Sequence, residues 1–265
     1  MAKLEYYINS NESPTVNISG NSISEIDVAL GNVSGVSFEV VSGRNPDIDT
    51  GTTPEEIWLG GGLYEGFKTT AAETLDIVST DPQDNSVGSG ARTIRIFGLD
   101  VSYNEITEDV VLNGVTPVTT ISTFFRVNKV IVLTAGVDGV NQGQINITQT
   151  TSSIVMGIIG SLIGNTLQTT WTVPSGKTYY LRRINSSLVD APRTFSNIIL
   201  QRRLINGAWN SLISYNINQS GGQTDIETSY IGEFPEKTDI KLTSDTTNSN
   251  NTDISAVLFF LVVDN

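Results

Sequence analysis

GARTIRIFGLDVSYNEITEDVVLNG, residues 90–114, is the stretch whose reading decides the fold class. Ile94 and Ile96 alternate with Thr93 and Arg95; beyond Gly98 the apolar residues change parity, to Leu99, Val101 and Tyr103. On the return arm Ile106, Val110 and Leu112 share one parity, with Thr107 and Asp109 on the other. A period of two marks half-buried strands, so the stretch reads as two strands joined at a polar turn around Ser102, Tyr103, Asn104 and Glu105. A parity shift at a glycine predicts a β-bulge at Gly98, because one extra residue reverses which side chains face the core.

The pattern extends in both directions. Strands are expected at residues 36–41, 74–78, 93–101, 106–112, 122–133 and 144–147, forming a first unit over 36–150. A second unit over 168–265 has strands expected at 169–173, 178–189, 195–205, 208–215, 227–231, 239–243 and 254–263. Between them residues 151–167 form an apolar, glycine-broken connector that reads as a buried strand and loop or a subunit contact. Residues 1–35 read as an N-terminal arm or edge element with extended stretches at 4–8 and 15–18. Pro54-Glu55-Glu56-Ile57-Trp58 suits the start of a short helical turn, since proline and acids favour a helix N-terminus. Asn113-Gly114 and Asn206-Gly207 are tight-turn dipeptides. The last run, ISAVLFFLVV, has little alternation, which places it centrally in a sandwich or under a subunit contact. Short strands separated by turn residues predict an all-β fold of two β-sandwich, jelly-roll-like domains behind the arm, although one large sandwich also fits 265 residues.

Composition narrows the function. Neither cysteine nor histidine is present. Their absence removes disulfides, thiolate nucleophiles, Cys-ligated zinc and imidazole general bases together. The formal net charge is -13, from 15 basic and 28 acidic residues. Phosphate backbones need a basic footprint, so nucleic acid is not an expected partner. Lys177, Arg182, Arg183, Arg193, Arg202 and Arg203 nevertheless fall close together in sequence. They read either as solvated strand faces or as a patch docking an acidic partner or another copy of the chain. No run reaches the ~20 apolar residues of a membrane span, and MAKLEYYINSNE has no signal-peptide apolar core. Neither a membrane nor a cofactor is expected.

Several short patterns touch on chemistry. Asp49-Thr50-Gly51 matches the aspartic-protease tripeptide, but it stands alone in a loop-like context, whereas that chemistry needs a carboxylate pair. Glu55, Glu56, Glu65, Asp100 and Glu105 could supply paired carboxylates for sugar cleavage, as any acidic chain could. Asp47, Asp49, Asp138 and the loop from Asp245 to Asp253 could offer calcium oxygens, without a recognisable calcium-loop pattern. Gly60–Gly62 and Gly88–Gly90 lack the lysine and helix of a phosphate loop. Trp58, Trp171 and Trp209, with Tyr64, Tyr179, Tyr180 and Tyr215, could stack on sugars, although packing accounts for most such residues.

Some segments occur in a fixed order that resembles a known family. They are Pro54–Trp58 with Gly60–Gly62, Leu75-Asp76-Ile77-Val78-Ser79-Thr80, the 90–114 stretch, Thr116-Pro117-Val118-Thr119-Thr120, Arg126-Val127-Asn128, Val173-Pro174-Ser175-Gly176-Lys177-Thr178 and Phe234-Pro235-Glu236-Lys237-Thr238-Asp239-Ile240. Over residues 50–265 the chain resembles a family of virion structural proteins of tailed bacteriophages. The resemblance implies a non-enzymatic component at the particle surface, made in the host cytoplasm and assembled as a symmetric oligomer, with no catalytic residues to carry over. The expected role is a capsid decoration, cement or head-fibre protein, a homotrimer in contact with the major capsid protein or other virion proteins. The alternative is a tail-fibre, spike or baseplate module that binds host-surface glycan.

Overall fold

The computed structural model describes residues 5–7, 15–18, 21–51, 54–189, 193–219 and 224–265. Among them the chain is all-β, with every strand pairing antiparallel. β1 (Glu5–Tyr7), β2 (Thr15–Ile18) and β3 (Asn21–Ser24) form a small sheet where two extended stretches are expected. One turn of helix, α1 (Glu25–Ala29), follows, its first turn capped by Ser24, whose Oγ accepts the Asp27 N–H at 3.1 Å.

β4 (Val36–Ile48) is longer than expected and belongs elsewhere. It pairs along most of its length with the C-terminal strand, from Val36 opposite Val263 to Ile48 opposite Thr252. The sheets therefore do not divide at residue 36. After β5 (Glu55–Glu56) and a 3-10 turn (Glu65–Lys68), the chain leaves that sheet pair and builds another before returning. Pro54–Trp58 is not a helical turn: Glu55 and Glu56 pair with Ser244 and Thr243, because a neighbouring strand edge satisfies their backbone better than an isolated turn would.

The excursion comprises β6 (Leu75–Ser79), β7 (Ala91–Leu99), β8 (Glu105–Val111), β9 (Val118–Thr119), β10 (Arg126–Ala135), β11 (Ile145–Gln149) and β12 (Val155–Ile159). They form sheets ordered β10-β7-β8 and β12-β11-β6-β9, which share one buried cluster including Ile77, Ile94, Ile96, Phe124, Val130 and Ile147. The apolar connector is part of this unit: β12 is an edge strand of its second sheet.

The return adds β13 (Trp171–Thr172), β14 (Lys177–Val189), β15 (Phe195–Arg203), β16 (Trp209–Asn218), β17 (Thr224–Phe234), β18 (Asp239–Thr247) and β19 (Thr252–Asp264). Their sheets are ordered β17-β14-β19-β4 and β13-β18-β15-β16, with β5 attached to β18. A second buried cluster draws on both sheets, including Val41, Leu181, Leu200, Leu242, Leu258 and Phe260. The ISAVLFFLVV run is β19, and its position between β14 and β4 explains the weak alternation. Ile254, Ala256, Leu258, Phe260 and Val262 face the core, while Leu261 on the other face is buried with Val28 of α1. Thus helix α1 covers part of the outer face of this sheet.

The 90–114 stretch folds as read, β7 and β8 joined through a turn held by Asp100, whose carboxylate accepts the Ser102 and Asn104 N–H groups at 2.8 and 2.9 Å. The expected bulge at Gly98 is a correction. The β7–β8 register runs unbroken through Phe97, Gly98 and Leu99. The irregularity lies on β10, where Val127 faces Gly98 and Lys129 faces Phe97, leaving Asn128 as the extra residue. The apolar parity changes on β7 because Leu99, 1% exposed, is buried on the opposite face of the sheet from Ile94 and Ile96. Asn206-Gly207 does mark a hairpin, but within a wider loop: Asn206 has φ +58°, Gly207 donates to Leu204, and strand pairing resumes at Arg203–Trp209.

Gly98 has a different reason to be glycine. A Cβ there would lie 2.4 Å from the Arg126 carbonyl oxygen and 2.6 Å from the Phe124 ring. Gly98→Ala is therefore expected to destabilise by about 1–3 kcal/mol through overpacking. Chemical denaturation checks this; an unchanged midpoint would show that the Phe124–Arg126 segment can move aside freely.

Candidate functional site

The sequence segments that stand out for their order meet where the two sheet pairs join. Arg126 opens β10 in the excursion, and Asp239 opens β18 in the returning unit. The Arg126 Nε lies 3.3 Å from Asp239 Oδ1, with both side chains almost fully buried. Arg203, at the end of β15, reaches the other carboxylate oxygen, with Nη2 at 2.6 Å and Nε at 3.0 Å. The Thr172 hydroxyl donates to Asp239 Oδ1 at 2.6 Å. One carboxylate thus holds two guanidiniums and a hydroxyl, so the buried charges carry the further hydrogen bonds that their desolvation demands.

Rings enclose this group. Trp58, Tyr64, Phe67 and Trp209 form a chain of edge-to-face contacts with centroids 5.1–5.2 Å apart. The Arg126 guanidinium sits 4.2 Å from the Phe125 ring centroid, and the Arg203 guanidinium and Lys241 ammonium lie 5.0 and 4.5 Å from the Trp209 ring centroid. Lys241 also pairs with the buried Glu56 at 2.5 Å. Other bonds cross the joint: Asn128 exchanges two with the Thr172 backbone, Ser175 N–H donates to the Tyr103 carbonyl, and Tyr64 OH donates to the Met156 carbonyl. The guanidiniums are also engaged outside the group, Arg126 with the Thr69 hydroxyl and the Phe125 carbonyl and Arg203 with the Phe67 carbonyl.

The six basic residues do not form one patch. Lys177 pairs with Glu105 across the joint at 2.7 Å, and Arg203 belongs to the Asp239 group. Arg182 is the extra residue of a bulge in β14, where the register shifts against both neighbouring strands, and it pairs with Glu25 of α1. Arg183, next to it, lies 5.7 Å from the Phe259 ring. Arg202 donates to the Glu233 carbonyl, and Arg193 lies on an exposed loop with φ +74°. Proximity in sequence misleads here because β14 and β15 lie in different sheets.

Beside the joint is a cleft of about 340 Å³. The outward face of the β10-β7-β8 sheet contributes Phe97, Leu99 and Lys129, and the returning unit contributes Glu39 and Trp171. Glu39 is on the inward parity of β4, two residues before Val41, and faces the buried Phe260 across the ladder. Burial pushes its carboxyl above the usual range, and Lys129 only partly opposes this. The Tyr179 phenol is also raised, first by burial and then by Glu39. The Trp171 indole N–H is buried beside the Tyr179 hydroxyl, and this contact partly opposes the rise of the phenol.

The remaining sequence candidates hold structure. Glu55 accepts the Asp49 and Gly62 N–H groups, Glu65 pairs with Lys68, and Asp100 holds its turn. Of the five carboxylates considered for sugar cleavage, only Glu105 lines the cleft. Asp49-Thr50-Gly51 is a loop clasped to the 249–251 loop: Thr50 donates to Asn250 Oδ1, and Asp49 accepts from Asn251 N–H. Asp253 is paired with Arg44 at 2.6 Å. Among the described residues no group of three or more carboxylates is placed to hold a metal. The Gly88–Gly90 turn and the glycine-rich loop at 134–143 are organised by the buried Asp84 carboxylate, which accepts from Ala91, Gln142 and Gly143 N–H and from Ser79 Oγ. A phosphate would have to displace that charge.

No family model matches the chain, and no curated protein matches it. Among solved structures it is similar to that of the infectious bursal disease virus Gt strain, at 9% identity over 87% of this chain and 73% of that one, with a TM-score of 0.25. It is also similar to the VP2 subviral particle of infectious bursal disease virus, at 9% identity over 88% of this chain and 72% of that one, with a TM-score of 0.23. Both TM-scores lie well below those of proteins with one shared fold, so neither likeness bears on what this chain does.

Two expectations follow from the joint and the cleft. Asp239→Asn leaves two guanidiniums without their carboxylate and should cost about 3–5 kcal/mol, measurable as a lower urea midpoint. Glu39 has the opposite effect on stability from a paired carboxylate. With its folded pKa above the unfolded value, ionisation opposes folding, so its contribution worsens as pH rises through that window and stays unfavourable above it. Glu39→Gln should therefore raise the melting temperature relative to wild type at pH ~7 more than at pH ~4. An equal shift at both would show that the carboxyl titrates normally.

Proposed function

We propose that this chain is a non-enzymatic structural protein of a virus particle, a surface component of a tailed bacteriophage that binds the shell as a decoration, cement or head-fibre protein. The observation that carries the reading is the use made of the ordered segments. Arg126–Asn128, Val173–Thr178, Phe234–Ile240 and the 100–105 turn supply the hydrogen bonds and ion pairs of the joint. Residues that resemble a virion family thus build a fixed connection between two sheet pairs, which is a mechanical task. The missing histidine and cysteine support the same reading, since the joint leaves little but carboxylates for chemistry.

With it goes the finer fold reading of two β-sandwiches of jelly-roll type, each built around one of the two buried clusters. The assembly we infer is a homotrimer, with the major capsid protein or another virion protein as its further partner. Antibody labelling of purified particles tests the role. Label on the heads of intact particles is expected. Label confined to tails would overturn the head assignment in favour of a fibre, spike or baseplate module, and absence from particles would overturn the structural role altogether. Light scattering should give the mass of a trimer; a monomer at micromolar concentration would refute that assembly.

A further inference from the structure

β4 is the last strand of its sheet, with β19 on one side and, among the described residues, no strand on the other. Val36 N–H donates to the Val33 carbonyl and Arg44 N–H to the Leu167 carbonyl, both away from β19, whereas the Gly35 carbonyl accepts from Asp264 of β19. Backbone groups alternate along a strand, so those of Phe38, Val40 and Ser42 also point away from β19. Among the described residues none of these three has a backbone partner on that side. The register is unbroken from Val36 to Asn45, and the stretch carries no proline or lysine, two of the usual devices that close an edge. The crossing strands cover it at Gly43 and Arg44, and before them it is open.

The two faces of this edge ask for different residues. Phe38 and Val40 are 38% and 46% exposed on the outer face, where α1 also lies and leaves Ile26 and Leu30 exposed. Glu39 stands on the inner parity, beside the cleft of about 340 Å³, which leaves room for a further side chain. Its carboxylate forms no ion pair among the described residues. It has the Val40 N–H, while Lys129 and Lys177 act on it from beyond ion-pair range, against Glu105. An inward carboxylate on an edge strand rejects a neighbour whose facing side chain is apolar or acidic, and admits one that brings a cation. A second copy of β4, paired antiparallel about Val40, would set its Glu39 opposite Val41 and enclose two carboxylates with no new cation. A strand with a basic residue opposite Glu39 instead places the two side chains ~5 Å apart at Cβ, close enough to pair.

We infer that the free edge of β4, from Phe38 to Ser42, binds an extended segment of another polypeptide as a fifth strand of its sheet, selecting one that sets a lysine or arginine opposite Glu39 and apolar residues opposite Phe38 and Val40. Main-chain hydrogen bonds supply the affinity and the two faces the specificity. The site goes beyond the particle role and does not rest on it: a head protein and a tail protein could each carry it, and labelling of particles reads neither outcome. The whole chain, labelled with ¹⁵N, would be titrated with the peptide acetyl-TSVKVT-amide, whose lysine faces Glu39 when its two valines face Val40 and Phe38. Matched peptides carry norleucine or glutamate in place of the lysine. A further peptide is N-methylated at both valines, which removes the amides directed at β4. Its control is N-methylated at the serine and the lysine, whose amides point away.

The lysine peptide should slow amide hydrogen exchange at Phe38 and Ser42 and bind more tightly than the norleucine and glutamate peptides. Glu39→Gln, which leaves the backbone edge intact, should weaken the lysine peptide roughly fivefold and remove its advantage over norleucine. Methylation at the valines should abolish binding, and methylation at the serine and lysine should leave it. No slowing of exchange at millimolar peptide would overturn the site, as would equal binding of the valine-methylated peptide. A lysine preference that survives Glu39→Gln would overturn the selection by charge. Slowed exchange at the same two amides in the free chain, growing with protein concentration, would give the edge to a second copy and overturn the proposed partner.

Discussion

The Asp239 carboxylate is the point on which the arrangement of this molecule depends. It sits between the Arg126 and Arg203 guanidiniums at the joint of two sheet pairs, and each pair buries its own separate cluster of apolar residues. Apolar burial within either unit says nothing about how one should sit on the other. Units linked in one chain move relative to each other by default unless a sizeable contact holds them. Here an apolar cluster of Trp58, Tyr64, Phe67 and Trp209 against Val155 and Ile158 spans the joint, and the Asp239 group adds a polar, directional contact. A carboxylate with two forked donors fixes angle as well as distance, whereas a greasy surface of the same size would fix neither as well.

The topology makes that fixing necessary. The chain builds β4 and β5, leaves for the whole of the other unit, and returns at Gln168 to finish the sheets it began. Outgoing and incoming strands must pass each other at close range. Trp58 bridges Gln168, and Thr169 N–H donates to the Ile57 carbonyl at 3.0 Å. Gly43 of β4 lies directly beneath, where a Cβ would meet the Ile57 oxygen at 2.5 Å and the Thr169 nitrogen at 2.6 Å. Glycine is required there because backbone crosses backbone. The passing strands and the Asp239 group therefore act together, one bringing the units close and the other setting their orientation.

Much of the strand pattern was legible in the sequence because a half-buried strand writes its period into its residues. β7, β8, β14 and β19 all lie within a few residues of where alternation places them. What alternation cannot show is which strand pairs with which. The strand expected at 36–41 reads as the first of a unit that follows it, yet as β4 it pairs with a strand more than 200 residues away. The same limit undid the Gly98 bulge. A parity shift says that inward and outward have exchanged, and two causes produce it: an extra residue, or a second neighbour on the other face. Leu99 has the second neighbour. The basic cluster failed for a related reason, since residues close along the chain were divided between two sheets.

The cleft was less legible still, although one trace of it was present. Glu39 interrupts VSFEVV at a position whose parity is that of the buried Val41, and a carboxylate on an inward position needs either a partner or a cavity. Asn128 gave no comparable trace: it becomes the bulge residue only once β10 lies against β7, and the bulge places Lys129 opposite Phe97 on the cleft side. The same irregularity lets Asn128 exchange two hydrogen bonds with Thr172, next to the hydroxyl that donates to Asp239. One local break in register thus serves both the joint and the cleft. The consequence is that the cleft is not a separable decoration of the surface. Its walls come from both units, so its shape is set by the same carboxylate that sets their angle.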